Sequence, residues 1–252
     1  MELETAVKNT IGYATKFKSW VNKKEISKRL ISSKKFDEKE IEEVIKQIVH
    51  KNKKNKYYNY KFDKAVVLAK KIKIRFRDIL FLGVSGSVAT GHPKRDDDID
   101  FLIITKSNGL WKTRLDLRWW IFKNRIPHRR YGEKEKKDEF CFNLWLDESY
   151  LRLPIEKQNL KNSVDLILLK PLINRNHMYE RLLLANNWAK KWVATPYENK
   201  ISNIQFLISN EKQKTNKLEK IMNCLYFWPQ YWYMKRKINK EMVGLYQAFF
   251  HR

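Results

Sequence analysis

The sequence predicts a mixed α/β (α+β) protein in which helix predominates around a small mixed sheet. Three observations carry that expectation. Gly and Pro number only 7 and 6 among 252 residues, well below the roughly 12% of ordinary domains, which disfavours a turn-rich β fold. Several stretches repeat apolar residues at helical spacing, and three short apolar runs have the length and pattern of strands. Apolar residues make up 43% of the chain, with 9 Trp, 12 Tyr and 13 Phe. That is enough hydrocarbon for sizeable cores, and it excludes a basic disordered tail.

The elements follow in order. Val7, Ile11 and Ala14 recur at helical spacing, and Asn22-x-x-Glu25 reads as a capping box before Ile26, Leu30 and Ile31. Asp37-x-x-Glu40 repeats the signal ahead of Ile41, Val44, Ile45, Ile48 and Val49, the stripe of an amphipathic helix. A lysine-rich turn, Lys51 to Lys56, then leads into Tyr58, Tyr60 and Phe62, whose alternation reads as a strand. Three short helices and a basic β ribbon outline a winged-helix-like domain over 1–62, with a small helical cap and a solvated lysine loop as the plain alternative. Asp63 is placed to cap a helix through Ala65, Leu68, Ala69 and Ile72.

Ile79 to Val84 is an unbroken apolar run of strand length. It ends in Ser85-Gly86-Ser87, passes Gly91 and Pro93, and the chain becomes apolar again from Ile99 to Ile104, so two strands flank a polar, glycine-bearing turn. Leu110 to Phe122 reads as a helix carrying Arg114 and Arg118, followed by a basic loop with Arg125, His128, Arg129 and Arg130. Phe140, Phe142, Leu144 and Leu146 alternate as a third strand. Past Lys170-Pro171-Leu172 the chain reads as helices whose aromatic residues are expected in the core. The organisation is thus 1–62, a central α/β domain over 63–195, and a C-terminal helical region over 196–252.

The formal charge is +25, and it is spread over the three parts as +8, +11 and +6. Distributed basicity points to a polyanionic partner met by several parts of the chain. The longest apolar runs fall far short of the roughly 18 to 20 residues of a spanning helix, so no membrane partner is expected. The acidic N-terminus does not read as a secretory signal. Cys141 and Cys224 have no metal-ligand or disulfide spacing, and a reducing cytoplasm fits them best.

Chemistry concentrates in Asp96-Asp97-Asp98-Ile99-Asp100. Two charges about 4 Å apart repel by roughly 4 kcal/mol at an effective dielectric near 20, so carboxylates crowded against a buried strand call for a compensating cation. In a strand, residues i and i+2 share a face, so Asp98 and Asp100 point together while Ile99 enters the core. Paired hard oxygens suit Mg2+ or Mn2+. Asp96 and Asp97 are explained by a solvated turn.

Gly86-Ser87-Val88-Ala89-Thr90-Gly91, followed eleven residues after Ser87 by Asp98-Ile99-Asp100, resembles the polymerase-beta-like nucleotidyltransferase superfamily. Thr90 stands where many members have Arg, and Asp97 where many have Ser. The resemblance implies a small mixed-sheet nucleotidyltransferase core in which Gly86 and Ser87 hold a triphosphate and Asp98 and Asp100 hold divalent ions. Lys94 and Arg95 are placed to neutralise phosphates. Most of the chain also resembles uncharacterised bacterial and archaeal proteins with a winged-helix-like N-terminus, Gly-Val-Ser-Gly, Asp-Asp-Asp-Ile-Asp and a Cys-x-Asn-x-x-Leu-Asp strand.

The superfamily usually supplies a third carboxylate from the next strand. The aligned position here is Asn143, whose amide can ligate but cannot act as a base. Asp147 has the same strand parity but lies about 13 Å further along and reads as a strand-end residue. The expected activity is metal-dependent transfer from a nucleoside triphosphate, ATP first, to a hydroxyl acceptor, RNA before DNA. The alternative is a nucleic-acid-binding regulator with a degenerate transferase domain. Lys51, Lys53, Lys54, Lys56, Arg129 and Arg130 are the nucleic-acid candidates. Arg114 and Arg118 line an acceptor groove or carry solvated charge, and His92, His128 and His177 have no assigned role.

Overall fold

Around Asn22, the sequence signal and the structure coincide at atomic detail. In the computed structural model, which describes residues 2–17, 19, 21–48, 55–130, 133, 136–202, 217–236, 238 and 241–250, Asn22 accepts from the Glu25 N–H at 3.0 Å and Glu25 accepts from the Asn22 N–H at 3.0 Å. This box opens α2 (Lys23–Lys28), which packs with α1 (Glu2–Lys16) and α3 (Glu38–Ile48). Ala6, Val7, Ile26, Leu30, Ile41 and Ile45 form their shared core. Buried Thr10 ties the bundle together by donating to the Ala6 carbonyl and accepting from the Ile31 N–H.

Tyr58 to Phe62, expected as a strand, is instead the first turn of α4 (Tyr58–Arg75). The reason is that residues i and i+4 of a helix also fit a period of two. Tyr58 and Phe62 stack on one face with ring centroids 5.6 Å apart, while Tyr60 between them is 52% exposed. The stripe continues through Ala65, Leu68, Ala69 and Ile72, all buried. Asp63 consequently lies inside the helix and caps nothing. No β ribbon is present at 55–62, and Val49, Lys51, Lys53 and Lys54 lie outside the described residues.

The expected central strands form as β1 (Ile79–Val84), β2 (Ile99–Thr105) and β3 (Phe140–Asp147). Between them run the short helix α5 (Gly86–Ala89) and the longer α6 (Leu110–Lys123). β2 is antiparallel to β1 and parallel to β3, because α6 carries the chain over one face. Two further strand segments escaped the sequence reading. β4 (Lys170–Asn174) pairs antiparallel with β1 and occupies one sheet edge, where Pro171 is tolerated. At the other edge, β5 (Met242–Val243) and β6 (Gln247–Phe249) form a hairpin against β3, completing a six-stranded mixed sheet. The C-terminal region is therefore not helical throughout. Strands of two and three residues are too short to show periodicity.

Helices cover both sheet faces. On one side α4, α6 and α10 (Lys217–Lys235) pack over Ile79, Leu82, Val84, Phe101 and Trp145. On the other, α7 (Leu160–Leu168), α8 (Met178–Ala185) and α9 (Lys190–Ile201) pack over Leu80, Phe81, Leu102, Ile104 and Leu146. The expectation that the C-terminal aromatics are core holds for Phe227, which is buried, and fails for Trp228, Trp232 and Tyr233, which are exposed. α10 is apolar on more faces than the one it buries.

Candidate functional site

The site forms where β1 ends. The strand is buried along its whole length and stops at Ser85, whose N–H donates to the Asp100 carbonyl at 2.9 Å and so ties the turn to β2. Gly86 follows at φ +62, in the left-handed region that favours glycine. A Cβ there would collide with Oδ2 of Asp100. Glycine is thus required twice, by backbone conformation and by the close approach of the carboxylate. α5 then turns the chain, closed by Thr90 donating to the Ser87 carbonyl at 2.8 Å, and Gly91 at φ +85 releases it into the acidic loop.

That loop is held from beneath by a residue with no role in the sequence reading. Lys61 of α4 is 1% exposed, and its ammonium donates to the carbonyls of Asp97 and Arg95 at 2.6 and 3.2 Å and to Asp138 at 2.7 Å. Burial pushes the Asp138 carboxyl up. The hydrogen bond and charge of Lys61, with Lys64, outweigh that and leave it below its ordinary value. Asp97 accepts from the Lys94 N–H at 2.9 Å and Asp96 is exposed, which is the turn role expected of both. The side chains of Lys94 and Arg95 are exposed on this loop.

Asp98 and Asp100 sit as expected at the start of β2, with Ile99 between them fully buried. Asp98 is 5% exposed and meets Arg129, whose Nη1 lies 3.1 Å from its Oδ2. The guanidinium is aimed by its own loop, since the Arg129 N–H donates to the Phe140 carbonyl and its Nε to the Glu133 carbonyl, each at 3.0 Å. Arg129 therefore serves the acidic site as an internal counter-charge. Asp100 accepts from the Asn143 amide at 2.6 Å. Asn143 stands at a register shift in β3, where Phe101 faces Phe142 and Leu102 faces Leu144. The alignment that put Asn143 in the third position is matched by this contact.

Cys141, opposite Asp100 in the parallel register, completes the group. Its sulfur donates to Asn143 Oδ1 at 2.5 Å, and one ligand atom from each of Asp98, Asp100 and Cys141 lie within 4.8 Å of one another. The apolar surroundings expected for Cys141 are thus only half the picture. Burial, then the charges of Asp100 and Asp98, push its thiol far above the usual range. A neutral thiol is neither a nucleophile nor a good ligand. The donors that fit a hard divalent ion are the two carboxylates, with the Asn143 amide beside them. Asp147 is apart from all of this, at the far end of β3 opposite Thr105, where it is fully buried and bonded to Ser149.

Beside Asn143 a basic recess of about 590 Å³ opens, lined by Arg114, Arg118, Arg129, Arg130 and His128. The choice between groove and solvated charge resolves for Arg114, which is 4% exposed, bonded to Gln230 at 2.6 Å and stacked near Trp111 and Phe250. Burial lowers the pKa of Arg118, with Arg130 adding repulsion and Tyr233 opposing. Arg130 is exposed at the rim, and Lys56 is exposed 5.0 Å from the Tyr57 ring centroid. Two residues of this region had a findable signal: Lys61 falls on the buried stripe once 58–72 is read as helix, and Arg129 belongs to the basic loop. For Cys141 none exists, because only strand register brings it to Asp100.

The fold and site define a mixed α/β protein with a carboxylate pair on a central strand, a glycine turn against it and a basic recess alongside. Comparison of the chain with protein-family models, curated proteins and solved structures gives no match in any of the three. Among the described residues no helix is long and apolar enough to cross a membrane.

Proposed function

We propose that the protein is a divalent-metal-dependent nucleotidyltransferase that moves a nucleotidyl group from a nucleoside triphosphate, ATP first, to a hydroxyl acceptor, with RNA favoured. The observation that carries this reading is the packing of Gly86 against Asp100, with Asp98 and Asn143 closing the same group. Asp98 and Asp100 would hold Mg2+ or Mn2+, and the ion supplies charge neutralisation for the phosphate oxygens when bound. Gly86 and Ser87 cradle the outer phosphates, with Lys94 and Arg95 on the adjoining loop. The recess lined by Arg114, Arg118 and Arg130 receives the anionic acceptor. The winged-helix-like reading of 1–62 and a cytoplasmic location belong to the same proposal.

A second reading is favoured by a specific contact. Arg129 already neutralises Asp98, and Asn143 donates to Asp100 where a third carboxylate would serve as base or ligand. This suits a nucleic-acid-binding regulator with a degenerate transferase domain. Labelled triphosphates incubated with Mn2+ or Mg2+ and total RNA separate the two. Transfer by the wild type that is lost in Asp98→Asn/Asp100→Asn and raised in Asn143→Asp supports the enzyme. Inert wild type and Asn143→Asp across all four triphosphates leaves the regulator.

A further inference from the structure

A second cleft, sharing no lining residue with the basic recess, opens between α2, the Thr90–His92 end of the α5 turn, the α7–β4 junction and α9. It measures about 1880 Å³ and is open to solvent. Four cations line it from three separate elements: Lys28 and Arg29 from α2 and its C-cap, Lys170 from the start of β4, and Lys200 from α9.

Arg29 is the anchor. It is 4% exposed, donates from Nη2 to the Thr90 carbonyl at 3.0 Å, and lies 3.6 Å from Glu25. Its Nε is buried with no hydrogen-bond partner, an orphan donor that is costly unless a ligand supplies the acceptor. Lys170 donates to the Tyr58 hydroxyl at 2.7 Å, with its ammonium 4.2 Å from that ring's centroid. The carboxylates of the cleft are already engaged. Glu25 serves the Asn22 N–H, His92 at 3.2 Å and Arg29, and Glu38 accepts from Asn199 at 3.2 Å.

Burial pushes Lys170 down to about 8, with Lys28 and Arg29 adding repulsion against the attraction of Glu25. Burial also lowers Lys200, and Lys28 repels it further. Cations held together with too few counter-charges favour a multiply charged anion. A guanidinium fork beside ammonium groups and a phenol hydroxyl suits phosphate oxygens.

We propose that this cleft binds a small phosphate-bearing ligand through Arg29, Lys28, Lys170 and Lys200, at a place distinct from the Asp98–Asp100 pair. The site does not depend on nucleotidyl transfer. Titration calorimetry with tripolyphosphate and with ATP, both in EDTA, tests it on four forms of the full chain: wild type, Lys170→Gln/Lys200→Gln, Asp98→Asn/Asp100→Asn, and the exposed α4 pair Lys70→Gln/Lys71→Gln. The expected result is binding by wild type, weakened roughly ten- to hundredfold by the cleft substitutions and unchanged by the other two pairs. ATP binding more tightly than tripolyphosphate assigns the ligand to nucleotides, and equal affinity assigns it to the phosphate chain alone. Thermal melting of each form without ligand shows that it is folded. Should the cleft variant not fold, Lys200→Gln alone is the replacement. Absent binding, loss in the aspartate variant, or equal weakening in both lysine pairs overturns the proposal.

Discussion

Asp147 is a carboxylate placed where water cannot reach it. Burial pushes its pKa from 3.8 up to about 6, against the opposing hydrogen bonds from Ser149 and Asn108, and its Oδ2 has no partner. Because the folded state holds the proton more tightly than the unfolded chain, the contribution is fully present below about pH 4 and is lost as pH rises through about 6. A shift of that size corresponds to about 3 kcal/mol. Thermal melting across pH 4 to 8 should therefore show Asp147→Asn flattening this decline and raising Tm above pH 7. An unchanged profile would place the pH dependence elsewhere. Gly86 works through sterics instead. Gly86→Ala should cost about 1 to 2 kcal/mol for its left-handed backbone and, by displacing Asp100, remove the Tm increase expected with divalent ion and triphosphate. A variant that keeps the full increase would separate Gly86 from the proposed site.

Among the elements, α4 does more than cover the sheet. Through Lys61 it fixes the carbonyls of Arg95 and Asp97 and the carboxylate of Asp138, so the acidic loop is anchored to a helix that begins almost forty residues earlier. Removing one partner of a buried ion pair leaves the other uncompensated, at about 3 to 5 kcal/mol. Lys61→Ala should lower stability by about that amount in urea denaturation and speed hydrogen exchange at the Asp97 to Ile99 amides. Normal exchange there would show the loop to be held without the lysine. α6 and α10 act together at the basic recess: Gln230 of α10 accepts from Arg114 and donates to the Trp111 carbonyl at 2.8 Å, holding the guanidinium at the wall.

For the whole molecule, the excess of +25 is the dominant long-range feature, and the described cations gather at two concave places, the recess beside Asn143 and the cleft around Arg29. If RNA or DNA is bound through about six phosphates, affinity should fall roughly a thousandfold between about 50 and 200 mM salt. Replacing Lys51, Lys53, Lys54 and Lys56 with Gln should flatten that slope in filter-binding titrations while leaving metal-linked stabilisation intact. Tight binding indifferent to salt, or none at low salt, would remove nucleic acid as the partner.

The sequence by itself determined the three central strands, α1 to α3, the Asn22 capping box, the turn at Gly86 and the carboxylate pair, because each is a local pattern: an apolar run, a stripe, a cap, a glycine beside polar residues. The proximity of Asn143 to Asp100 was legible from alignment with a motif. Tertiary structure alone decided that Tyr58–Phe62 is helical, since burial of Phe62 and Lys61 against the sheet chose between two periods that both fit. It alone formed the edge strands β4, β5 and β6, whose hydrogen bonds go to distant partners. The internal counter-ion Arg129, the thiol of Cys141 and the gathering of Arg29, Lys170 and Lys200 are likewise products of the fold. Charges up to about 170 residues apart in the chain repel until packing gives them a reason to meet, and no local pattern records which of them will.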